Sequence, residues 1–532
     1  MENWKEEKVN APKKGLWQRL AALAVAAALV LSLAGCSGLP SVPGGSADVV
    51  PNPSASAAAA VDTVDAPLEV HFIDVGQALS VLVECDGQFM LYDGGNVDDG
   101  SLVVSYLQSQ GVEQLEYVFC SHAHEDHVGG LAAALAAAQT AEGRAHITVL
   151  DKNVKGGKKL LATGNGRCNL DNRDITPERY FTSSPKALRR LLSAVDEAAP
   201  LAWFESLGLY PRTDEAGRVY PYSNQAADVL ALLEHHLSRL GVEVRTGCTV
   251  QNLSQSRGGY AVQIETEAGR ETLRADAVIC AMGGDAGPQF GTDGFGTRFA
   301  AQCGGRMAPL YPCLTALQCA HPRKPLAGIR AKGCASLLDG ADGRVLARET
   351  GEVQFTEYGL SGICIMQLSG LLAPGRGPKR PVVALDLFPA LSETELAALF
   401  AQRVGLLGSE AAEFWLGLLP AKLGRALWAD AGLPENARAL PASAWPKLAA
   451  TAKCWRFEGL TPCGWKQAQT TGGGLLLDEV EDDFQFKGCP GLYFVGETLD
   501  CAGSCGGYNL HWAFGSGIIA GRAAAKLRKK KK

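Results

Sequence analysis

The sequence predicts an α/β fold. A doubly wound nucleotide-binding domain is interrupted by a β-rich and a helical insertion, and a smaller αβ fragment precedes it. Three stretches predict this. In the first, an apolar run at 147–150 ends on Asp151, and a loop with Lys152, Gly157, Lys158, Lys159, Gly164, Gly166 and Arg167 follows. A carboxylate at the end of the second strand of a dinucleotide-binding sheet accepts hydrogen bonds from the adenosine ribose. The glycines after it let backbone N–H groups approach phosphate, and the Lys and Arg side chains supply positive charge. A strand followed by a plain Gly/Lys loop is the alternative for this stretch alone. In the second, a short buried-strand pattern at 492–495 leads into Gly496-Glu497, Asp500, Gly503, Gly506 and Gly507, and then an apolar run at 512–520 that reads as a helix. In the third, a buried strand at 277–281 runs into Met282-Gly283-Gly284, a further place where backbone could approach a cofactor.

These blocks together resemble the aminoacetone-oxidase family of FAD-dependent oxidoreductases, a glutathione-reductase-like flavoprotein group. Thr163-Gly164-Asn165-Gly166-Arg167-Cys168-Asn169 carries the likeness, with further matches at Gly217-Arg218-Val219-Tyr220-Pro221, at 291–296 and at Phe355-Thr356-Glu357-Tyr358-Gly359-Leu360-Ser361-Gly362. The similarity runs from about Leu131 to Arg522. It implies a Rossmann-like FAD-binding domain in which Asp151 holds the adenosine ribose and Val250 contacts the adenine side. It also implies that the 496–509 segment, through Tyr508 and Asn509, lies along the flavin and the ribityl chain. Cys168 and Cys505 fall in cofactor blocks, where packing against the cofactor is expected over a redox pair, since no CxxC is present. No second G-x-G-x-x-G exists, so NAD(P)H enters only as a candidate electron donor.

A chain of 532 residues has room for two to four domains. Its 47% hydrophobic and 20% charged residues are ordinary for globular protein. A net charge of −6 gives no nucleic-acid footprint, and the basic end, Leu527 onward, reads as a solvated tail. The 16 cysteines are scattered, which argues against a zinc ribbon or a disulfide scaffold and for a reduced, cytoplasmic body. The start disagrees. Lys13, Lys14 and Arg19 precede an uncharged run at 20–35 that closes on Leu33-Ala34-Gly35-Cys36. Residues 1–36 therefore read as a signal peptide. The pattern resembles a bacterial lipoprotein box, which implies lipidation of Cys36 as the expected membrane contact; an uncleaved anchor is the alternative. Residues 37–66, rich in Ser, Pro, Ala and Gly, read as a disordered linker.

Residues 67–130 form a second piece. Strands are expected at 68–74, 79–85, 89–92 and 117–120, with a helix at 101–110. His122, His124, Asp126 and His127 follow on a strand-end loop, a spacing that can ligate zinc. With Ile73-Asp74-Val75-Gly76-Gln77 and Asp93-Gly94-Gly95, this resembles the metallo-β-lactamase domain of competence-type, DNA-uptake hydrolases. Ala78-Leu79 departs from that family's Gly-Asp. The family completes its zinc sites with ligands far downstream, but after Gly130 the chain becomes flavoprotein. The fragment therefore reads as truncated, and zinc is not expected to bind. A zinc-dependent phosphodiesterase-type hydrolase, and a fusion with neither site complete, are the alternatives to the oxidoreductase.

The flavoprotein has lost the matching part. With Gly130 as third glycine of the first turn, Glu125 and His127 occupy the positions of the first two. The strand at 117–120 could stand in for the missing first strand. Val128-Gly129-Gly130 then reads as a joint between two genes.

From Asp171 onward the flavoprotein pattern is continuous. Helices are expected at 185–198 and 226–240, with Gly241 as the stop of the second and a strand at 242–245 after it. His235 and His236 read as solvated. The FAD-binding domain is assigned to 131–306 and 453–525, a β-rich insertion to 307–391, and a helical one to 392–452 opening on a cap at Ser392. A small-molecule substrate is expected between these parts and the cofactor. No side chain shows a catalytic acid or base role.

Overall fold

The computed structural model describes residues 69–72, 81–85, 88–92, 105–107, 117–119 and 128–527, apart from 155, 158, 257, 408–412 and 435–440. The chain divides into a unit ending at Ser121 and one beginning at His122. In the first unit, Glu69–Phe72, Val81–Cys85, Gln88–Tyr92 and Tyr117–Phe119 form one four-stranded sheet in sequence order. The first two pairings are antiparallel and the last is parallel, with Tyr92 opposite Phe119. Tyr117–Phe119 is thus the edge of this sheet.

The second unit is layered. Its first helix, Val128–Ala141, contains no charged residue and is buried along nearly its whole length. A helix apolar on all sides must be covered on all sides. Tyr508–Ala525 lies along it in close contact, and Ala226–Arg239 and the strands Thr148–Leu150 and Val278–Cys280 also touch it. The core between these elements is built from Leu131, Leu135, Leu230, Leu233, Leu510, Phe514 and Ile518.

The parallel sheet beneath is described as two pairs. Thr148–Leu150 pairs with Glu243–Arg245, and Val278–Cys280 pairs with Leu492–Phe494. Leu492–Phe494 is closed on its far side by Gln485 and Phe486. The outer edges of Thr148–Leu150 and Val278–Cys280 carry no strand partner among the described residues. Thr249–Ser256, Gly259–Thr266 and Gly269–Ala275 make a separate three-stranded antiparallel sheet.

The insertion is a seven-stranded sheet. Its order runs Trp455–Glu458, Pro381–Asp386, Arg330–Asp339, Val345–Phe355, Gly359–Ser361, Leu317–Gln318 and Thr461–Pro462. Helices Glu393–Leu407, Ala421–Asp430 and Ala444–Lys453 bury an aromatic cluster of Phe400, Phe414, Trp415, Trp428 and Trp445 that is continuous with the sheet's core. Ser392 caps the first of these helices reciprocally, its N–H reaching Glu395 at 2.8 Å while Glu395 N–H donates to its hydroxyl at 3.2 Å. The insertion runs ten residues past the 452 boundary expected from the sequence. Trp455 and Phe457 point into the aromatic core as alternate residues of an edge strand, which an apolar count alone does not separate from the returning domain. At its start, Met307–Cys313 pairs outside this sheet, with Thr470–Leu475. No helix among the described residues is long and apolar enough to cross a membrane.

Candidate functional site

Several of the blocks singled out in the sequence are tied together by hydrogen bonds and an ion pair. Around Asp151 the chain leaves its strand and turns. Asp151 Oδ1 accepts the Asn153 N–H at 2.9 Å and the Asn153 side-chain amide at 3.1 Å. Lys152 is spanned by an ion pair to Asp293 at 2.9 Å, so the 291–296 loop closes over this strand end. Asp293 is correspondingly acidic: burial opposes its ionisation, but Lys152 and the Phe295 N–H outweigh it. Lys158 lies outside the described residues, as do His122, His124, Asp126 and His127. No cluster of three or more metal-ligating side chains occurs among the described residues.

Lys159 is not at the surface with a phosphate, as its position in the loop suggests. Its side chain is wholly buried, donating to the Ala286 carbonyl at 2.8 Å with Glu497 Oε2 at 3.7 Å. Glu497 Oε1 accepts the Thr471 N–H at 2.8 Å. The Thr471 hydroxyl in turn accepts the Asp285 and Ala286 N–H groups at 2.8 and 3.0 Å. Thr498 donates to the Gly283 carbonyl at 3.2 Å. This knot ties the 156–169 loop, Gly283-Gly284, the Thr470–Leu475 strand and Gly496-Glu497 together. Gly284 is buried in it and Met282 is half-buried at its margin.

The 163–169 turn is held from outside. The Arg167 guanidinium donates to the Gly164 carbonyl at 3.1 Å and lies over the Tyr220 ring at 4.9 Å. The Gly166 carbonyl accepts the Ala226 N–H at 2.7 Å, at the start of the Ala226–Arg239 helix. Cys168 is fully buried with a left-handed φ of 57°. The Cys505 thiol lies 3.8 Å from Gln469 Oε1.

The last block is a turn closed on itself. Gly503 N–H donates to Asn509 Oδ1 at 2.7 Å, and Asn509 returns a bond to the Gly503 carbonyl at 3.0 Å. Asn172 donates to the Gly506 carbonyl at 2.7 Å. Gly507 has φ 104°, and a Cβ there would strike the Asp171 carbonyl, so only glycine fits. Asn169, its amide oriented by its neighbours, accepts the Gly507 N–H at 3.0 Å. Tyr508 is buried, with Arg179 over its ring at 5.9 Å. Gly130 sits in the first turn of Val128–Ala141, next to Ala281. Val250 is apart from this turn, half-buried in the three-stranded sheet opposite Ile264.

Two carboxylates beside these glycines have an oxygen with no hydrogen-bond partner. Asp500 is completely buried. Its Oδ2 accepts the Ser183 N–H at 2.7 Å, while its Oδ1 meets none. Burial raises its pKa, against the Ser183 bond. Asp285 Oδ2 is likewise unpartnered, and burial raises that carboxyl despite Arg298. A buried acceptor left unmade is costly. Acceptor oxygens of this kind, in the segments that carry the glycine turns, fit the hydroxyls of a ribityl chain and the ribose of a dinucleotide. The residues present therefore fit FAD.

Sequence reasoning missed Asp171, Asn172, Thr471 and His511, which brace the turns. Asp171 and Asn172 immediately follow the 163–169 block, and that adjacency was the available signal. Nothing local marks Thr471. His236, expected to be solvated, is half-buried with Nε2 at 2.8 Å from the Leu207 carbonyl, because its helix face turns towards the preceding loop.

Residues 128–523 match the family described as the HI0933-like protein Rossmann domain. A 3-dehydro-bile acid delta(4,6)-reductase of Clostridium scindens is 36% identical over 403 residues, 75% of this chain and 97% of that protein. A ribosomal RNA dihydrouridine synthase of Escherichia coli is 24% identical over 394 residues, 73% of this chain and 94% of that protein. Among solved structures, a 3-ketosteroid-delta4-(5alpha)-dehydrogenase from Rhodococcus jostii aligns at 16% identity with a TM-score of 0.40, over 76% of this chain and 96% of that one. The chain belongs to the HI0933-like Rossmann-domain family and is an FAD-dependent oxidoreductase.

Proposed function

We propose that the chain is a flavoprotein reductase of a small molecule carrying a double bond conjugated to a carbonyl, with NAD(P)H as electron donor. The observation that carries the reading is that Asp500, buried with an unpartnered oxygen, lies in one short segment between Glu497, tied to Lys159, and the glycine turn closed by Gly503 and Asn509. FAD would be held at its ribose by Asp151, along its diphosphate by the 156–169 loop and Gly283-Gly284, and along its flavin by the 496–509 segment. When bound, it supplies hydride transfer. The chain's own residues fix position: Asn169 and Asn172 hold the glycine turn, and the buried Asp500 offers a carboxylate oxygen.

The substrate class is supported by the Clostridium scindens reductase, whose alignment leaves almost none of its length uncovered. The chain has no second glycine fingerprint, so the nicotinamide would come and go as a diffusible donor. The aminoacetone-oxidase resemblance supports the same cofactor geometry and makes amine oxidation the competing outcome. For residues 67–130 we keep the reading of a partial metallo-β-lactamase fragment, supported by a sheet order that follows the expected strands.

Purified protein should be yellow and hold one FAD per chain. Anaerobic NADH or NADPH should bleach it, and a delta(4,6)-unsaturated 3-dehydro bile acid should restore the colour. Protein that stays colourless through an FAD titration overturns the cofactor assignment. Recolouring by no enone, with bleaching by aminoacetone instead, overturns the substrate class.

A further inference from the structure

His511 lies in the first turn of the Tyr508–Ala525 helix, directly after the glycine turn, and is almost fully buried. Its Nδ1 is 2.9 Å from Asp171 Oδ1. Its Nε2 is 3.4 Å from Asp196 Oδ1, near enough for an ion pair but not aligned as a hydrogen bond. The two carboxylates come from different elements, the Asp171–Asn172 strand and the end of the Pro185–Ala198 helix.

The other groups packed on this helix do not compete. Tyr180 spends its hydroxyl on the Tyr508 carbonyl at 3.2 Å. Glu497 faces Lys159, Glu205 of the Pro200–Ser206 helix is exposed, and Val128–Ala141 brings no charge. One buried imidazole thus faces two carboxylates, Asp171 buried and Asp196 at the surface. Asp171 is also the residue whose carbonyl forbids a side chain at Gly507 and whose Oδ1 accepts the Asn172 N–H at 2.7 Å.

We propose that His511 is a positioning residue. Held as an imidazolium between Asp171 and Asp196, it locks the 169–172 segment to the Gly506-Gly507 turn and places a positive charge behind the flavin-binding segment. The inference rests on the reading that FAD lies along 496–509. Electron uptake adds negative charge to a bound flavin, and a fixed cation nearby favours that state. Burial alone would strip the proton from His511, but Asp171 and then Asp196 outweigh it and raise its pKa to about 9. The Asp196 side chain is 51% exposed, so solvent weakens that arm and Asp171 carries more of the effect. The folded-state value lies above the ordinary 6.5. The charge, and the stability it brings, are therefore complete below 6.5 and are lost as pH rises through about 9.

The test compares wild type, H511Q and D196N as full chains. The two-electron potential of bound flavin is measured at pH 7 and pH 10, and the His511 ring is titrated by NMR in the apoprotein. At pH 7, H511Q should favour reduced over oxidised flavin about tenfold less than wild type, a potential lower by about 30 mV. At pH 10 the two should converge. D196N should titrate its imidazole at lower pH than wild type and lose the imidazolium's contribution to its potential at correspondingly lower pH. Should H511Q not fold, D196N alone decides by that earlier loss. Equal potentials at pH 7, or an apoprotein imidazole titrating near the ordinary value, overturn the proposal. Failure to take up FAD sinks the cofactor reading instead, and the apoprotein titration still decides whether the imidazolium is held.

Discussion

Lys159 and Glu497 show what a single buried charge can decide. Lys159 is wholly buried and the Glu497 side chain only 9% exposed, and the two lie 3.7 Å apart across two cofactor blocks far apart in sequence. Removing one partner of a buried pair leaves the other uncompensated, a loss of about 3–5 kcal/mol, whereas replacing both by neutral groups costs far less. K159M should therefore lower the unfolding free energy by about that amount, and K159M/E497Q should recover most of it, as read by urea denaturation. If the double variant is as unstable as the single one, the pair is not the source of the loss. The residue types at both positions were readable as parts of a nucleotide site. That Lys159 points inward to the Ala286 carbonyl was not, because a Gly/Lys loop has no periodicity to give its side chains a direction.

Among the elements, the pairing of Val128–Ala141 with Tyr508–Ala525 organises the domain. The helices approach so closely that a Cβ at Gly517 would fall on the Gly129 carbonyl, and one at Gly521 on the Ala133 carbonyl. Small residues permit this contact, and a larger one must push the backbones apart. G517V should cost about 1–3 kcal/mol or more and lower the thermal midpoint, together with FAD affinity. G405A, on an exposed helix position with open space around it, should instead stabilise by about 0.5–1 kcal/mol. Equal effects from the two would mean that helix propensity, not close packing, governs Gly517. The second of these helices was legible from its apolar run at 512–520, as was the 185–198 helix to the residue. The seven-stranded sheet was legible only as β-rich, because its strands pair across 317–462 and no short window holds both partners.

For the whole molecule, the expectation turns on the proposed joint near 128. The family match begins at residue 128, inside the stretch where the first glycine turn would run. Glu125 and His127 stand where glycines normally bring backbone to diphosphate. Each lost charge-assisted hydrogen bond is worth about 1.5–3 kcal/mol. Replacing 115–129 with a regular strand and a G-x-G-x-x turn ending at Gly130 should tighten FAD binding by about a hundredfold, equivalent to about 3 kcal/mol, in a flavin fluorescence titration. No gain would show that the natural joint is already competent.

The sequence by itself determined the class of this protein. Its glycine turns, strand-end Asp151 and flanking apolar runs are local patterns whose meaning follows from backbone chemistry over a few residues. The tertiary structure alone decided the polar interior. Lys159 with Glu497 and His511 with Asp171 are joined over more than 300 residues of chain. Burial makes such charges costly unless they meet, and only the folded arrangement of strands and helices brings them within 4 Å of each other.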